Sequence, residues 1–312
     1  MGKKLFFIQK GPYWTKIHLC GVRLKFKDRT KELFYKTREI VRQELCAAGV
    51  PNEERLNRNN QINLSTALLH QKTFMPFKNK HAGQTLVITA TGPTSKFYAP
   101  IPEGIHIGVN KAFALKNIPL DYYFSQDYVS FKEYAVEINK NLPASCVKFY
   151  GLTVEFDYAI NRTIPESCAL QDGALRYRTD WAEISGFTPR FAYDIASQPL
   201  GCFGTVVFPA LQFALWTNPK RIYLVGCDCT HKGYFFSQEK NQLDLNLIVP
   251  AYAKFKDFAH KYYPETEIVS VNPVGLKGLF RDVYTRDYVA AHPELFPSGG
   301  DITYLEDLSQ EA

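Results

Sequence analysis

Short apolar runs separated by Gly11-Pro12 and Gly21 fill residues 4–27 and predict a small β-meander. From about Thr30 to Ala48 the apolar positions Leu33, Phe34, Ile40, Val41 and Leu45 recur at helical spacing. They stop at Gly49, with Pro51 beyond, which predicts an amphipathic helix. Residues 52–62 (NEERLNRNNQI) are polar and Asn-rich and predict an exposed connection. After His81 the pattern changes. The segments 85–89 (TLVIT), 105–109 (IHIGV), 122–124, 147–150, 222–225 (IYLV) and 268–271 (IVSV) are short apolar runs of the kind found in buried parallel strands, with helical patterns between several of them. Such alternation predicts an α/β domain with a parallel sheet, whose ligand crevice lies at the carboxyl ends of the strands.

The length of 312 residues allows one large domain, or one domain with a small appendage. A chain that is 46 % hydrophobic, 14 % aromatic and 22 % charged, without a low-complexity tract, is not disordered, collagen-like or a coiled coil. The seven Cys (20, 46, 146, 168, 202, 227 and 229) are odd in number and scattered, which argues against a disulfide framework or a structural zinc site and for a reducing cytoplasm. Only four consecutive apolar residues follow the basic start, too few for a signal-peptide core. The uncharged run 195–219 is long enough to span a bilayer, but Pro199, Gly201, Gly204, Pro209 and Gln212 interrupt it, so a buried loop and helix is the reading.

Charge is unevenly placed. Residues 1–60 hold 14 Lys plus Arg and 6 Asp plus Glu, leaving 23 basic and 25 acidic residues for the rest. The N-terminal excess, interleaved with aromatics such as Phe6, Phe7, Trp14 and Phe26, suits an anionic membrane surface as well as it suits a solvated face. Nucleic acid is not expected, because no zinc finger, RNP-type or helix-turn-helix signature accompanies the charge.

The candidate chemistry follows the strands. The run 85–89 enters Ala90-Thr91-Gly92-Pro93-Thr94-Ser95, a turn of small and hydroxyl residues where a first βα loop would cradle a phosphate. A plain Gly-Pro turn would read the same way. The second strand ends at Asn110, whose amide could read a base or ribose or cap the next helix. Ser125-Gln126-Asp127 follows the third. Gly201 to Leu215 reads as a small-residue loop opening an apolar helix, with Gly204 and with Thr205 as its cap, so that N–H groups and the positive dipole end meet an anion. The strand 222–225 runs into Gly226-Cys227-Asp228-Cys229, which sets Asp228 in the crevice as ribose ligand, metal ligand or base. His231 and Tyr234 come next, a proton carrier and a phenol able to donate to phosphate; a surface loop histidine is the plain alternative for the first. Cys227 and Cys229 would lie on opposite sides of an extended strand. No DxD motif, HExxH or paired-His spacing exists, so metal dependence is not expected, and no GxSxG element suggests an esterase.

The order of these stretches, namely 91–95, 108–110, 125–127, 186–194 (GFTPRFAYD), 204–212, 222–228 and 234–242 (YFFSQEKNQ), resembles bacterial CMP-sugar glycosyltransferases. The likeness is to the lipopolysaccharide-core Kdo transferase family and, more distantly, to the bacterial sialyltransferases of lipooligosaccharide. It covers residues 83 to about 275. It implies a Rossmann-like sheet with helices on both faces, no metal or other cofactor, a CMP-activated acidic sugar as donor, and a glycan or lipid-linked acceptor. CMP would lie across Thr91, Gly92, Pro93, Thr94, Ser95, Asn110, Gln126, Gly204, Thr205, Asp228 and Tyr234. The sialyltransferase pattern has a His shortly before the last core helix as general base, and residues 237–250 contain none. The base is therefore one of Asp127, Asp228 and His231, the last favoured because imidazole titrates near operating pH. Lys277, in the loop 272–278, could meet an acidic sugar or phosphate.

The expected organisation is a basic appendage (1–80), a nucleotide-sugar-binding catalytic domain (81–290) and a C-terminal tail (291–312), in a cytoplasmic protein held at the inner face of the cell membrane. Two rival readings stand beside it. One is a pterin pyrophosphokinase-like enzyme using ATP, weakened by the missing acidic pair for magnesium. The other is a non-catalytic subunit of a glycan assembly complex that keeps the nucleotide fold for binding alone.

Overall fold

The computed structural model of the chain describes residues 6–10, 14–19, 22–27, 53–153, 163–180, 190–241, 243–296 and 301–308. Two compact units divide between Gln61 and Ile62. In the first, β1 (Phe6–Lys10), β2 (Trp14–Leu19) and β3 (Val22–Lys27) form an antiparallel sheet in the order β1-β2-β3, the meander that the Gly-Pro and Gly breaks predict. The expected helix at 30–48 lies outside the described residues.

The expected exposed connection at 52–62 is instead the start of a helix, α1 (Glu53–Phe74). No Gly or Pro interrupts residues 52–75. Asn is only a modest helix breaker, costing a few tenths of a kcal/mol more than Gln. The buried Thr66, His70, Thr73 and Phe74 toward its end offset that local cost by packing.

The second unit is built on nine parallel strands. In chain order they are β4 (Thr85–Thr89), β5 (Ile105–Val109), β6 (Tyr122–Ser125), β7 (Val147–Thr153), β8 (Leu175–Asp180), β9 (Leu200–Gly201), β10 (Arg221–Val225), β11 (Glu267–Val271) and β12 (Arg281–Val283). Their order in the sheet is β12-β11-β10-β4-β5-β6-β7-β8-β9. All six expected strands are present. The chain builds outward from β4 in one direction as far as β9, then returns to the other side of β4 as β10. That reversal is a topological switch point, and it opens a crevice at the carboxyl ends of β4 and β10.

Alternate residues of β4, β6, β7, β10 and β11 serve two cores, the signature of strands covered on both faces. Leu86, Ile88, Ile107, Phe124, Phe149, Ile222 and Leu224 pack with Phe74, with α4 (Val207–Trp216) and with α5 (Leu245–Tyr262). Val87, Tyr123, Tyr150, Tyr223, Val225 and Val269 pack on the opposite face with α2 (Tyr128–Asn141), α3 (Glu166–Asp172) and the C-terminal Leu305 and Leu308. Every residue of α4 is buried, as a helix apolar all round must be. The uncharged run is thus a buried segment, and among the described residues no helix is long and apolar enough to cross a membrane.

Within α4 the one amide side chain has a structural task. Gln212 accepts from the N–H of Ala192 at 2.8 Å and of Gly201 at 3.2 Å, and donates to the carbonyls of Gly201 at 2.8 Å and Phe208 at 2.9 Å. It therefore pairs the polar backbone of the short β9 inside the core, where an unmade bond is costly.

Candidate active site

A cavity of about 230 Å³ occupies the switch point. Its wall contains Thr91, Gly92, Asn110, Gln126, Asp127, Gly204, Thr205, Asp228 and Tyr234, so loops far apart in sequence deliver nine of the expected residues to one place. Pro93, Thr94 and Ser95 form the short 3-10 turn just behind it. His231 and Lys277 are exposed and lie outside the wall.

The loop after β4 is fixed by the loop after β10. Ala90 N–H donates to Val225 O at 2.8 Å and Gly92 N–H to Gly226 O at 2.8 Å. Asp228, only 6 % exposed, accepts from Thr94 N–H at 3.0 Å with one oxygen and from the Thr94 hydroxyl with the other. A side chain at position 92 would overlap Gly226 O and the Asp228 carboxylate, so the approach requires glycine. Burial pushes the Asp228 carboxyl above its usual range, while Thr94 and Lys232 pull it back. With both oxygens committed to Thr94, Asp228 caps the turn at 93–97 across the switch point.

Beyond β10 the chain does not continue as strand. Gly226 (φ 66°) and Cys229 (φ 47°) take left-handed conformations, so Cys227 and Cys229 both reach the cavity wall instead of lying on opposite sides of an extended strand. The loop 272–279 supports this bend from outside, because Gly275 N–H donates to Asp228 O at 2.8 Å.

The opposite wall starts from β6. Asp127 caps α2, accepting from Val129 N–H at 2.8 Å, and is half-buried at the cavity edge. Gln126 donates through Nε2 to Cys202 Sγ at 2.8 Å, which joins the end of β6 to the turn before α4. That turn, Cys202 to Thr205, has positive φ at both Phe203 (47°) and Gly204 (77°), and Thr205 N–H closes it on Cys202 O at 3.1 Å. The N-cap of α4 is Val206 and not the expected Thr205, whose hydroxyl accepts from Val207 N–H at 3.3 Å one residue earlier. Asn110 does not cap the turn that follows it. It sits at φ 50°, and its side-chain oxygen accepts from Tyr134 OH at 3.3 Å.

Tyr234 belongs to a small β-bridge with Ser237, tied to the β4 loop by Phe235 N–H to Thr91 O at 3.0 Å. Burial raises its phenol further above neutrality, which leaves it a hydrogen-bond donor. Lys111 lies between this loop and α2, its Nζ 4.9 Å from the Phe236 ring and 5.7 Å from the Tyr134 ring.

Residues not singled out from the sequence also line the cavity, among them Ser130, Thr230, Tyr252 and Asn241. Asn241 Nδ2 donates to Thr230 O at 2.8 Å and Gly233 O at 3.3 Å, closing the loop on itself. Its Oδ1, like Oε1 of Gln126, is buried and has no donor among the described residues. Asn241 falls within the 234–242 stretch, yet nothing in its spacing separates it from a surface Asn. Among the described residues no group of three or more His, Cys, Asp or Glu converges as a metal site would require.

No protein-family model matches the chain. No curated protein matches its sequence. Solved structures that align with it include the sialyltransferase CstII from Campylobacter jejuni in complex with the substrate analogue CMP-3FNeuAc, at 14 % identity and a TM-score of 0.35. The sialyltransferase CST-II in complex with a trisaccharide acceptor and CMP aligns at 13 % identity with the same score. Each alignment covers 60 % of this chain and 80 % of the other. At that score the alignments decide nothing about the chemistry, and the α/β class rests on the nine-stranded parallel sheet itself.

Proposed function

We propose that the protein is a metal-independent glycosyltransferase of cell-surface glycan synthesis, moving an acidic sugar of the Kdo or sialic-acid type from a CMP-activated donor to a glycan hydroxyl. The observation that carries this reading is the convergence of Thr91-Gly92, Asn110, Gln126-Asp127, Gly204-Thr205, Asp228 and Tyr234 on one cavity at the switch point. These are the stretches whose order carries the resemblance to CMP-sugar transferases.

In this reading the nucleotide phosphate sits against the glycine turn at 204 and the start of α4, within reach of the Thr91, Thr205 and Tyr234 hydroxyls. As the bond between sugar and phosphate oxygen breaks, negative charge grows on the phosphate. Preorganised donors and the helix start stabilise that charge more than they stabilise the intact donor. The acceptor hydroxyl loses its proton to a carboxylate as it attacks the sugar. Asp127 is the base we assign, because it stands in the wall while Asp228 is held by Thr94 and His231 lies outside.

The test is release of CMP from CMP-sialic acid and from CMP-Kdo, with a glycan acceptor, in EDTA. Asn caps a helix as well as Asp does, so Asp127→Asn keeps the fold of α2 and removes only the base. A fall in turnover of at least about a hundredfold, with CMP affinity unchanged, is expected. Undiminished turnover in that variant would remove Asp127 from the mechanism.

A further inference from the structure

The register of the N-terminal sheet sorts its residues by charge. Direct partners across the strands lie on the same face. The pairs Phe7 with His18, Gln9 with Lys16, Lys16 with Lys25, His18 with Arg23, and Trp14 with Lys27 therefore define one face. The pairs Phe6 with Leu19, Ile8 with Ile17, Lys10 with Thr15, Ile17 with Leu24, Thr15 with Phe26, and Leu19 with Val22 define the other. One face thus holds Lys16, Arg23, Lys25, Lys27 and His18 together with Trp14 and Phe7, and no carboxylate, since the first acidic residue of the chain is Asp28. The other is apolar except for Lys10 and Thr15.

A merely solvated face has no reason to exclude acids. This one also sets Lys16 opposite Lys25, a like-charged cross-strand pair that weakens a sheet unless an external anion compensates it. Successive cationic positions on β3 are about 7 Å apart along the strand and the strands about 5 Å apart, so these positions lie together on one face of the sheet. A single-stranded nucleic acid calls for a groove that tracks its backbone, and a duplex for an element that enters its groove. Cationic positions mixed with Trp and Phe on one face of a sheet match the headgroup layer of a bilayer.

We propose that the face of the N-terminal sheet carrying Lys16, Arg23, Lys25 and Lys27 docks the protein on an anionic lipid surface. This inference is independent of the transferase reading.

The experiment is co-sedimentation of the full chain with phosphatidylcholine vesicles, with and without about 30 % phosphatidylglycerol, at two salt concentrations. Each cation near such a surface is worth about fivefold in affinity. Lys25→Glu should therefore weaken binding about thirtyfold. Lys10→Glu makes the same change in net charge on the opposite face and should weaken it no more than about threefold. Higher salt should release the wild-type chain. Lys25→Gln, a milder change, should lie between wild type and Lys25→Glu, which protects the result against misfolding of the reversal. The proposal is overturned by equal losses in Lys25→Glu and Lys10→Glu, by equal binding to neutral vesicles, by no vesicle binding, or by tighter binding to an oligonucleotide at equal phosphate concentration.

Discussion

Asp228 accepts both the backbone N–H and the hydroxyl of Thr94, and through that pair the loop after β10 holds the loop after β4. The two strands are neighbours in the sheet but 132 residues apart at Thr89 and Arg221, so the crevice takes its shape from long-range contacts, in which this pair joins the backbone bonds of Ala90 to Val225 and Gly92 to Gly226. This makes Asp228 a positioning residue for the glycine turn that faces the cavity.

Thr94→Val keeps the shape of the side chain and removes the hydroxyl, leaving one buried carboxylate oxygen without its donor. The expected cost is about 1–3 kcal/mol. At about 2–4 °C per kcal/mol for a domain of this size, a thermal melt should read a clear fall in Tm. CMP affinity should fall with it, because Gly92 is carried on the same turn. An unchanged melt and unchanged affinity would show that the contact does not shape the crevice.

His70 supplies a pH dependence of the fold. Its Nε2 accepts from Arg178 N–H at 2.7 Å, so the ring proton is on Nδ1, which donates to Ile195 O at 2.8 Å. Burial lowers its pKa from 6.5 to about 4. The neutral ring is the folded form. Its contribution, on the order of 3 kcal/mol, is complete above pH 6.5 and lost as pH falls through 6.5 toward 4. Stability should fall as pH is lowered from 6.5 toward 4 in the wild type, and less steeply in His70→Gln.

Gln212→Leu matches the apolar neighbours of α4 and strips four hydrogen bonds from the backbone around β9. The apolar gain does not compensate for orphaned groups on Ala192 and Gly201, so a loss of about 3 kcal/mol or more is expected in chemical denaturation. A neutral result would mean that these groups find other partners.

Tyr234→Phe removes a single hydroxyl from the cavity wall. If that hydroxyl meets the leaving phosphate, kcat should fall about tenfold or more while the melt without ligand stays put. A loss confined to the melt would assign Tyr234 to loop packing.

Much of this architecture was legible in the sequence, for a physical reason. The strands 85–89, 105–109 and 222–225 are buried on both faces and read as continuous apolar runs, and their termini mark the crevice. The strand 175–180 escaped because Leu175, Tyr177 and Thr179 alternate with Arg176 and Arg178, a half-covered pattern that a search for apolar runs passes over. The first ten residues of α1 escaped because their Asn-rich composition reads as loop, while the packing that settles the matter lies further along, at Thr66 to Phe74. In the cavity, hydroxyl and glycine loops were visible as motifs. The commitment of Asp228 to Thr94 and the place of Asn241 were not, because both depend on contacts between loops and on left-handed residues that spacing does not reveal.

The most direct test of the central claim is a thermal-shift titration of the full chain with CMP, CDP, UDP, GDP and ATP, each with EDTA and with magnesium. A nucleotide at a hundred times its dissociation constant stabilises by about 2.7 kcal/mol, a readily measured shift. The account predicts that CMP raises the melt, equally with EDTA and with magnesium, and that Gly92→Ala abolishes the effect. A shift by ATP that requires magnesium, or no shift by any nucleotide, would contradict it.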